Sequence, residues 1–430
     1  MFGTFRKRKN PLYIATSILI IAVAALAAGS AAILFAALLL LLVLFYPFFL
    51  QIWEWLYGVE DLADQIFHAH TEDGWNIAMH FHRPPYPLPG AYPVILSHGI
   101  ANNKYGVDLD RGHSLAYYLK QNGFPVFVIS LRGVGKSYHS SRYRYRDFTF
   151  DDIVENDVPA VIRKVRELTG APKISWVGHS MGAMIAYGFL GRKLPGHEDI
   201  ATLVSLGGPG KLDHARSTMW GLASRYPGLG QLLDLRWGAQ VVSPLTGRVV
   251  TPIEELVYNK EVVNTMTIRR LMKNGVENIA PGLQQQFAEW IQSGQELTRD
   301  GVHDYRRGFQ EIKLPVLFMA GARDHIAPVE ALRFAYENTA SKIKELHILG
   351  REEGVPYDYC HTGLVLGDRA ILDVYPRVYE WLMLYGRTKS RKGLWGRITA
   401  RLRRGRSRRP GRGRRRQFRD ENLPSDVISA

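Results

Sequence analysis

The middle of the chain alternates between short apolar runs and segments in which apolar residues have helical spacing. Helical segments include His113 to Gln121 and Ile153 to Leu168. The strand-like runs are Pro93 to Ser97, Pro125 to Ser130, Lys173 to Val177, Thr202 to Leu206, Pro315 to Ala320 and Glu345 to Leu349. Apolar strands separated by helices indicate a mostly parallel central sheet with helices on both faces, so the pattern predicts an α/β fold.

A hairpin pattern comes first in the predicted domain, residues 59–386. From Asp64 to His82, apolar and polar residues alternate on both sides of Glu72-Asp73-Gly74. Such alternation around a turn sequence predicts a β-hairpin at the start of the domain.

Between Gly210 and Leu314 the alternation of strands and helices stops. This stretch has helical patterns such as Glu261 to Lys273 and Pro281 to Ser293, and no convincing buried strand. We therefore expect a helical cap at about residues 211–312. Additional packing on the rim of the domain is the alternative.

The N-terminal part of the chain has no charged residue from Pro11 to Trp53. A continuous helix of that length would be about twice as long as the hydrocarbon core of a bilayer is thick. Gly29-Ser30 divides the segment into Leu12 to Ala28 and Ala31 to Leu50, each near the minimum for one crossing. Residues 1–58 are therefore predicted to form a basic N-terminus followed by a transmembrane helical hairpin.

Two other interpretations of this segment stay open. Ala25-Leu26-Ala27 resembles a signal-peptidase site, but cleavage there would leave an even more hydrophobic new N-terminus. A single tilted crossing through Ala31 to Leu50 would place the domain on the outer side of the membrane. Since Arg6 to Lys9 and the Arg-rich tail both prefer the cytoplasmic face, an even number of crossings is favoured. We expect an integral protein of the bacterial inner membrane with its catalytic domain in the cytoplasm.

The formal net charge of +15 is concentrated at the two ends of the chain. Four bases lie within Arg6 to Lys9 and 16 lie between Arg387 and Arg419, so the remaining body is near neutral. Within Gly393 to Arg404 the apolar residues share one helix face, which favours contact with an anionic lipid surface. The tail comprises residues 387–430, and the part past Gly405 is expected to be disordered. Nucleic acid is a disfavoured partner because the chain has no recognisable binding fold and little aromatic interleaving.

Residues Lys173 to Leu190 combine a strand pattern, a sharp turn and a helix pattern around Gly178-His179-Ser180-Met181-Gly182. This context makes the G-x-S-x-G sequence a candidate nucleophile elbow. Gly178 and Gly182 are expected where a side chain would collide with the neighbouring strand or helix. Ser180 Oγ is expected above the sheet, at a helix N-terminus that favours negative charge. A purely structural glycine-rich turn is the alternative.

A serine hydroxyl needs a base, and His361 is the candidate that follows in the order Ser, acid, His. It lies in a loop-like stretch, Tyr357 to Gly363, after the last predicted strand. Asp324 follows the run from Leu314 to Ala320, so we expect it at the carboxyl edge of the sheet, where it would orient the imidazole. An ordinary turn aspartate and a hydrogen-bonded loop histidine are the alternatives.

An acyl-transfer site also needs donors for the oxyanion, and we expect the backbone N–H groups of Ile100 and Met181 to supply them. His98, His179 and His325 are interpreted as structural residues that support turns, since no cluster of His, Cys and Asp has metal-ligand spacing. The sequence therefore predicts neither a metal nor another cofactor.

Cys360 is the one cysteine of the chain, so an intramolecular disulfide cannot form. Because this residue directly precedes His361, it is a second candidate nucleophile. A small buried residue without a chemical role is the favoured interpretation.

Several landmarks of the chain resemble the acid lipases, the gastric and lysosomal type of α/β-hydrolase. They are Thr71-Glu72-Asp73-Gly74, Ser97-His98-Gly99, Phe148-Thr149-Phe150-Asp151-Asp152, Asp157-Val158-Pro159-Ala160 and Gly178-His179-Ser180. The match covers roughly Asp64 to Leu206 and resumes from Leu314 to Leu384. The resemblance implies an α/β-hydrolase fold, a triad of Ser180, Asp324 and His361, and lipid or other apolar esters as substrates.

The sequence departs from the acid lipases in several features. Those lipases usually have an acidic residue two positions after the catalytic histidine, where this chain has Gly363. The cap of this chain is not recognisably of the acid-lipase type, and those lipases lack the predicted transmembrane hairpin and the Arg-rich tail. Gly363 to Gly367 also resembles bacterial polyester synthases, whose nucleophile is cysteine, whereas the elbow here carries Ser180. These differences concern the acyl preference and leave the triad intact.

Taken together, these patterns predict a membrane-anchored serine esterase or lipase that forms an acyl-enzyme on Ser180. Two alternatives stay open: an acyltransferase with the same triad, and a catalytically silent hydrolase fold that serves as a membrane scaffold. The expected partners are an apolar ester or lipid, the membrane through residues 11–53, and anionic lipid through the tail.

Overall fold

The computed structural model of the protein describes residues 51–141, 147–213, 234–247 and 258–388. It also describes residues 215, 224 and 225 and a few single positions between 29 and 49. The predicted transmembrane hairpin and the Arg-rich tail lie almost entirely outside these residues. Of the helices that the described residues form, none has both the length and the apolar character needed to cross a bilayer.

The described residues form a nine-stranded sheet that is parallel over most of its width. The strands are β1 (Gln65–His70), β2 (Trp75–His82), β3 (Val94–Ser97), β4 (Val126–Ile129), β5 (Tyr138–His139), β6 (Ile174–His179), β7 (Ile200–Leu206), β8 (Val316–Gly321) and β9 (Lys344–Leu349). Their order is β1-β2-β4-β3-β6-β7-β8-β9, with β5 paired to β2. The strand β2 is antiparallel to its three neighbours, and every other pair is parallel. The predicted hairpin and the six predicted core strands are present, which confirms the mostly parallel central sheet.

Helices cover both faces of this sheet. The α-helices of at least four residues that follow β1 are α1 (Leu115–Gln121), α2 (Val158–Thr169), α3 (Met181–Gly191), α4 (Leu235–Val242), α5 (Thr265–Asn274), α6 (Pro281–Ser293), α7 (Val329–Asn338), α8 (Gly363–Leu366), α9 (Ala370–Asp373) and α10 (Tyr375–Tyr385). The helix α6 has the predicted bounds and begins at a proline, which suits a first helical position. The helix α5 begins later than the predicted start because the side chain of Asn264 caps it, accepting the N–H of Thr267 at 2.9 Å.

Alternate residues of the central strands pack on opposite faces of the sheet, as the two-residue period of a strand requires. Ile95 and Trp176 belong to the core packed beneath α2, α3 and α6. Leu96 and Val177 belong to the core packed beneath α1, α5 and α10. Because both faces are covered, the carboxyl edge of the parallel strands is left as the place where loops can form a site.

The chain between β7 and β8, residues 207–315, is called the insertion below. Its described part consists of α4, α5, α6, a 3-10 helix at Arg307–Glu311 and irregular segments. The helices α4 and α5 contact each other, and α5 packs near the loop that follows β3. The insertion therefore adjoins the carboxyl edge of the sheet.

Candidate active site

Ser180 occupies the turn between β6 and α3. Its backbone has φ 55° and ψ −124°, a conformation that residues with side chains rarely adopt. Its N–H donates a 2.9 Å hydrogen bond to Leu206 O at the end of β7. This bond fixes the turn against the neighbouring strand, so Ser180 lies at the carboxyl edge of the sheet beside the N-terminus of α3.

The two glycines of this turn lie where no side chain fits. A Cβ built on Gly178 would collide with the backbone of Gly182 and Ala183, and one built on Gly182 would lie 2.5 Å from Ser97 O. The close approach lets β3, β6 and α3 meet directly beneath Ser180.

Asp324 and His361 form a buried hydrogen-bonded pair at the same edge of the sheet. His361 Nδ1 lies 2.8 Å from Asp324 Oδ2, and the two residues are only 6% and 3% exposed. The other carboxylate oxygen, Oδ1, accepts the N–H of Ile326 at 2.9 Å and of Ala327 at 2.7 Å. With both oxygens engaged, the carboxylate cannot rotate away. It holds the imidazole with Nδ1–H as donor, which leaves Nε2 free to act as a base.

Ser180 and His361 approach two consecutive residues at the end of β7, Leu206 and Gly207. The carbonyl of Leu206, just before Gly207, accepts the N–H of Ser180, and a Cβ built on Gly207 would lie 3.2 Å from His361 Nδ1. Among the described side chains, no hydrogen bond joins Ser180 Oγ to His361. Catalytic hydrogen bonds of this kind often tighten only when substrate binds. The structure thus pairs Asp324 with His361 directly and brings Ser180 next to them, while the three catalytic roles stay predictions.

Two neutral histidines support this arrangement. His179 Nε2 donates to His361 O at 3.2 Å, with the two ring centroids 4.6 Å apart, and burial holds the pKa of His179 well below its usual range. His98 Nδ1 donates to Gly99 O at 2.8 Å, and its Nε2 accepts the N–H of Leu131 at 3.1 Å. Burial lowers the pKa of His98 to about 4. These contacts agree with the structural roles expected for both residues.

The third histidine expected to support a turn, His325, does not do so. It is exposed, and its ring forms no hydrogen bond within the described part of the chain. Asp324 is buried, whereas the adjacent His325 is exposed to solvent. The prediction that the ring of His325 supports a turn is therefore wrong.

The two expected oxyanion donors belong to residues next to Ser180 and next to Gly99, which packs on Ser180. Met181 is the first residue of α3, and Ile100 follows Gly99 in the loop after β3. A Cβ built on Gly99 would lie 2.9 Å from Ser180 Cβ, so this loop packs directly against the serine. Within the described residues neither N–H donates to a protein acceptor. Both are therefore available to a ligand oxygen.

The loop from Gly99 to Asn103, called the β3 loop below, is tied to the insertion. Ala101 O accepts the N–H of Glu277 at 2.9 Å, and the N–H of Asn103 donates to Gly275 O at 3.0 Å. The side chain of Asn103 also donates to Glu277 Oε1 at 2.8 Å. Sequence analysis missed Asn103 and Glu277 because the two residues are separated by more than 170 positions and neither belongs to a motif.

The sequence profile that defines the alpha/beta hydrolase fold matches residues 92–350, which is more than half of the chain. The chain belongs to this family. The membership confirms the predicted α/β-hydrolase fold with its mostly parallel sheet. Within this fold, a G-x-S-x-G turn between a strand and a helix has the position of the nucleophile elbow.

The relatives of this hydrolase include several lipases. Lipase 1 of Drosophila melanogaster is 33% identical over 132 residues, which are 29% of this chain and 28% of that lipase. Lipase lipl-1 of Caenorhabditis elegans is 22% identical over 367 residues, which are 73% of this chain and 87% of that protein. Gastric triacylglycerol lipase of Rattus norvegicus is 31% identical over 135 residues, 29% of this chain and 34% of that enzyme. The resemblance to acid lipases is thus confirmed, although the chain spans only about a third of the fly and rat proteins.

Cys360, the rival nucleophile, is poorly placed for that role. Cys360 is only 2% exposed, and its Sγ accepts a hydrogen bond from the N–H of Asn259 at 3.1 Å. Burial also raises the pKa of the thiol, which disfavours the reactive thiolate. The structure therefore supports the interpretation of Cys360 as a buried filler.

A polar cavity of about 450 Å³ lies at the far end of α3 from Ser180. Gly191, Arg192, His303, Asp304 and Arg307 are among its lining residues. Since none of these residues adjoins Ser180 or His361, this cavity is separate from the hydrolase site. Among the described residues, no group of three or more His, Cys, Asp and Glu side chains could hold a metal ion.

Proposed function

We propose that this hydrolase cleaves carboxylic esters through an acyl-enzyme on Ser180. One arrangement carries the proposal: a strained serine lies near two unengaged backbone N–H groups, next to a buried histidine that a carboxylate orients. Positioned bases and oxyanion donors are what acyl transfer to a serine requires. A turn with a purely structural role has no need of the two unengaged donors.

The reaction follows from the placement of these groups. His361 Nε2 accepts the proton of Ser180 Oγ as the oxygen attacks the ester carbonyl, and the N–H groups of Ile100 and Met181 stabilise the oxyanion. The imidazolium then gives its proton to the departing alcohol, which leaves the acyl group on Ser180. Water, activated by His361, adds to this acyl-enzyme and releases the acid with Ser180 restored. Throughout, Asp324 holds the imidazole and stabilises its positive charge.

The proposed substrates are lipids or other apolar esters. The relatives include proteins named lipase and gastric triacylglycerol lipase, which supports this substrate class.

We also propose that residues 11–53 anchor the protein in a membrane as a helical hairpin, with the insertion acting as a cap over the site. The uncharged composition of this segment and the basic residues at both ends of the chain support an even number of crossings. Tags placed on both termini should then be shielded from protease in spheroplasts. A C-terminal tag that is cleaved there contradicts the hairpin.

An active-site-directed fluorophosphonate probe tests the catalytic proposal. We expect the wild-type protein to be labelled, Ser180→Ala to be unlabelled and inactive, and the matched control Ser293→Ala, altered at an exposed helix end, to behave as wild type. Folded wild-type protein that resists the probe, or Ser180→Ala that is labelled equally, overturns the proposal. Product analysis with added alcohol separates hydrolysis from acyl transfer, because a transferase yields a new ester rather than free acid.

A further inference from the structure

An exposed apolar surface covers three helical segments near the candidate active site. These segments are residues 51–57, α4 and α5, and they contact one another. Trp53 Nε1 donates a 2.9 Å hydrogen bond to Gln240 O of α4, and Gln240 Nε2 donates to Lys273 O of α5. Lys273 Nζ in turn lies 2.9 Å from Glu54 Oε2. What we call the apolar surface consists of the exposed residues Ile52, Trp55, Leu56, Leu235, Trp237, Val242, Leu245 and Met266.

The outward face of residues 51–57 is apolar. Ile52, Trp55 and Leu56 have the i, i+3, i+4 spacing of a single helix face, opposite to the residues that contact α4 and α5. Trp55 is 82% exposed. An exposed row of this kind is typical of a surface that binds another apolar phase.

The helix α4 extends this exposed face. None of its residues is buried, although Leu235, Trp237 and Val242 are apolar and share the helix with polar residues. Trp237 is 52% exposed, and no described element covers it. An amphipathic helix normally buries its apolar side, whereas the apolar side of α4 is left exposed within the described part of the chain.

The sequence that leads into the apolar surface indicates a lipid bilayer as the partner. From Pro11 to Trp53 the chain has no charged residue, and residues 51–57 come at the end of that segment. A chain that enters a bilayer through residues 11–50 would hold the apolar surface at the membrane boundary. Tryptophan is enriched at that boundary because its ring is apolar and its N–H is polar.

The charges of the same helices favour anionic headgroups. Residues 51–57, α4 and α5 contain four bases and one acid, Glu54. Three of the bases, Arg236, Arg270 and Lys273, form ion pairs with Glu277, Asp110 and Glu54, and the fourth is Arg269. Arg269 has no carboxylate partner among the described residues, and its guanidinium donates only to Thr246 O. Basic residues beside an exposed apolar helix are attracted to an anionic membrane surface.

We propose that the apolar surface docks on a lipid bilayer with anionic headgroups and holds the mouth of the active site against it. The β3 loop, which carries Ile100, is hydrogen-bonded to the residues that directly follow α5. Lys104, just after this loop, has Nζ 2.9 Å from Asp61 Oδ1, so the loop is also fixed to the chain that follows residues 51–57. Docking therefore places Ser180 close to lipid esters. For its substrate this inference rests on the proposed function.

Site-specific fluorescence tests docking without requiring turnover. The full-length chain is labelled at Trp55→Cys or Trp237→Cys with an environment-sensitive dye and reconstituted into phosphatidylcholine–phosphatidylglycerol vesicles. The native Cys360 is buried, so the introduced thiols react selectively. Tyr86→Cys is the matched control, since Tyr86 is an aromatic residue of similar exposure that lies beside Gly123, before β4. We expect nitroxide-labelled phosphatidylcholine to quench the dye at 55 and 237 and not at 86.

Two outcomes overturn the proposal. Dye at 55 and 237 that aqueous iodide quenches as strongly as dye at 86 means that the surface stays in water. Dye that neither iodide nor nitroxide lipid quenches means that protein, such as a second copy of the chain, covers the surface. Vesicles of phosphatidylcholine alone should give weaker nitroxide quenching, because they lack the anionic headgroups.

Turnover gives a second readout. The variant with both Trp55→Glu and Trp237→Glu should lose at least about fivefold in hydrolysis of a vesicle-embedded ester, because membrane binding scales with buried apolar area. Its activity on a soluble short-chain ester should be unchanged, and Tyr86→Glu should match wild type on both substrates. An equal loss on both substrates contradicts docking, since it places the effect in the site itself. If the wild type hydrolyses neither ester, the proposed function fails while the fluorescence result still decides docking.

Discussion

Gly99 packs so closely on Ser180 that a Cβ built on the glycine would lie 2.9 Å from Ser180 Cβ and 3.3 Å from Ser180 Oγ. Ser180 cannot move away easily, because its backbone has a strained conformation and its N–H is hydrogen-bonded to Leu206 O at the end of β7. Gly99→Ala should therefore push the β3 loop and the N–H of Ile100 out of position. We expect kcat/KM for ester hydrolysis to fall by about 100-fold, the effect of removing one oxyanion donor.

The matched control for this change is Gly112→Ala, where the added methyl would meet only ordinary contacts and no unusual backbone angle is required. Ester hydrolysis and thermal unfolding are measured for both variants. A Gly99→Ala protein with full activity would show that the loop does not supply the donor.

Replacement of the buried carboxylate tests the orientation of His361. Asp324→Asn keeps the size of the side chain and an oxygen that can still accept the N–H groups of Ile326 and Ala327, but it removes the charge that holds the imidazole. We expect kcat to fall by about 10³ to 10⁴, as for other triads that lose their acid. Asp358→Asn, in the loop that leads to His361, is the control and should retain activity. A loss below tenfold for Asp324→Asn would argue for a different acid.

The stability of the protein should depend on pH through His98. Burial keeps the folded-state pKa of this residue at about 4, below its ordinary value of 6.5, so the unfolded chain binds more protons between these two pH values. The contribution of His98 is full above about pH 6.5 and is lost as the pH falls toward 4. The shift corresponds to about 3 kcal/mol of unfolding free energy.

Denaturant unfolding of the wild type and His98→Asn between pH 4 and 7.5 isolates this contribution from other titrating groups. The variant is expected to be less stable at pH 7.5, because it loses the hydrogen bond that His98 accepts from the N–H of Leu131. Its free energy of unfolding should also fall less steeply than that of the wild type as the pH is lowered. Parallel pH profiles for the two proteins would rule out His98 as the source.

The thiol of Cys360 should prove dispensable. The thiol is buried, Sγ accepts a hydrogen bond from the N–H of Asn259, and burial raises the pKa of the thiol. Cys360→Ala is therefore expected to keep kcat/KM within about twofold of wild type. Iodoacetamide should leave native enzyme active. Inactivation by this reagent that the alanine variant escapes would reopen the case for a cysteine nucleophile.

The sheet could be predicted from sequence because its central strands are buried on both faces and form continuous apolar runs. The strand β5 could not, since Tyr138 and His139 are too few to show a period and pair with β2 only through the tertiary fold. The start of α5 was misplaced because apolar spacing extends before Asn264, whereas the side-chain cap at that residue decides where the helix begins.

The candidate site followed from the sequence wherever a residue type, a turn and an adjoining strand coincided, as at Ser180, Asp324 and His361. Residues that form hydrogen bonds near the site but belong to no motif could not be predicted from the sequence. Glu277 of the insertion accepts a hydrogen bond from Asn103, and the backbone carbonyl of Gln240 accepts one from Trp53, which is 187 positions away in sequence. Such pairs depend on how distant segments meet in space, which hydrophobic periodicity does not encode.

The pairing between the β3 loop and the insertion limits how the site can open. Residues 274–277 form two backbone hydrogen bonds with the loop, and Asn102 and Val276 form an isolated β-bridge. Swinging this part of the insertion aside would either break those hydrogen bonds or carry Ile100 away with it. The wall beside Ser180 is accordingly fixed to the insertion, and a movement that admits a bulky substrate has to leave residues 274–277 in place.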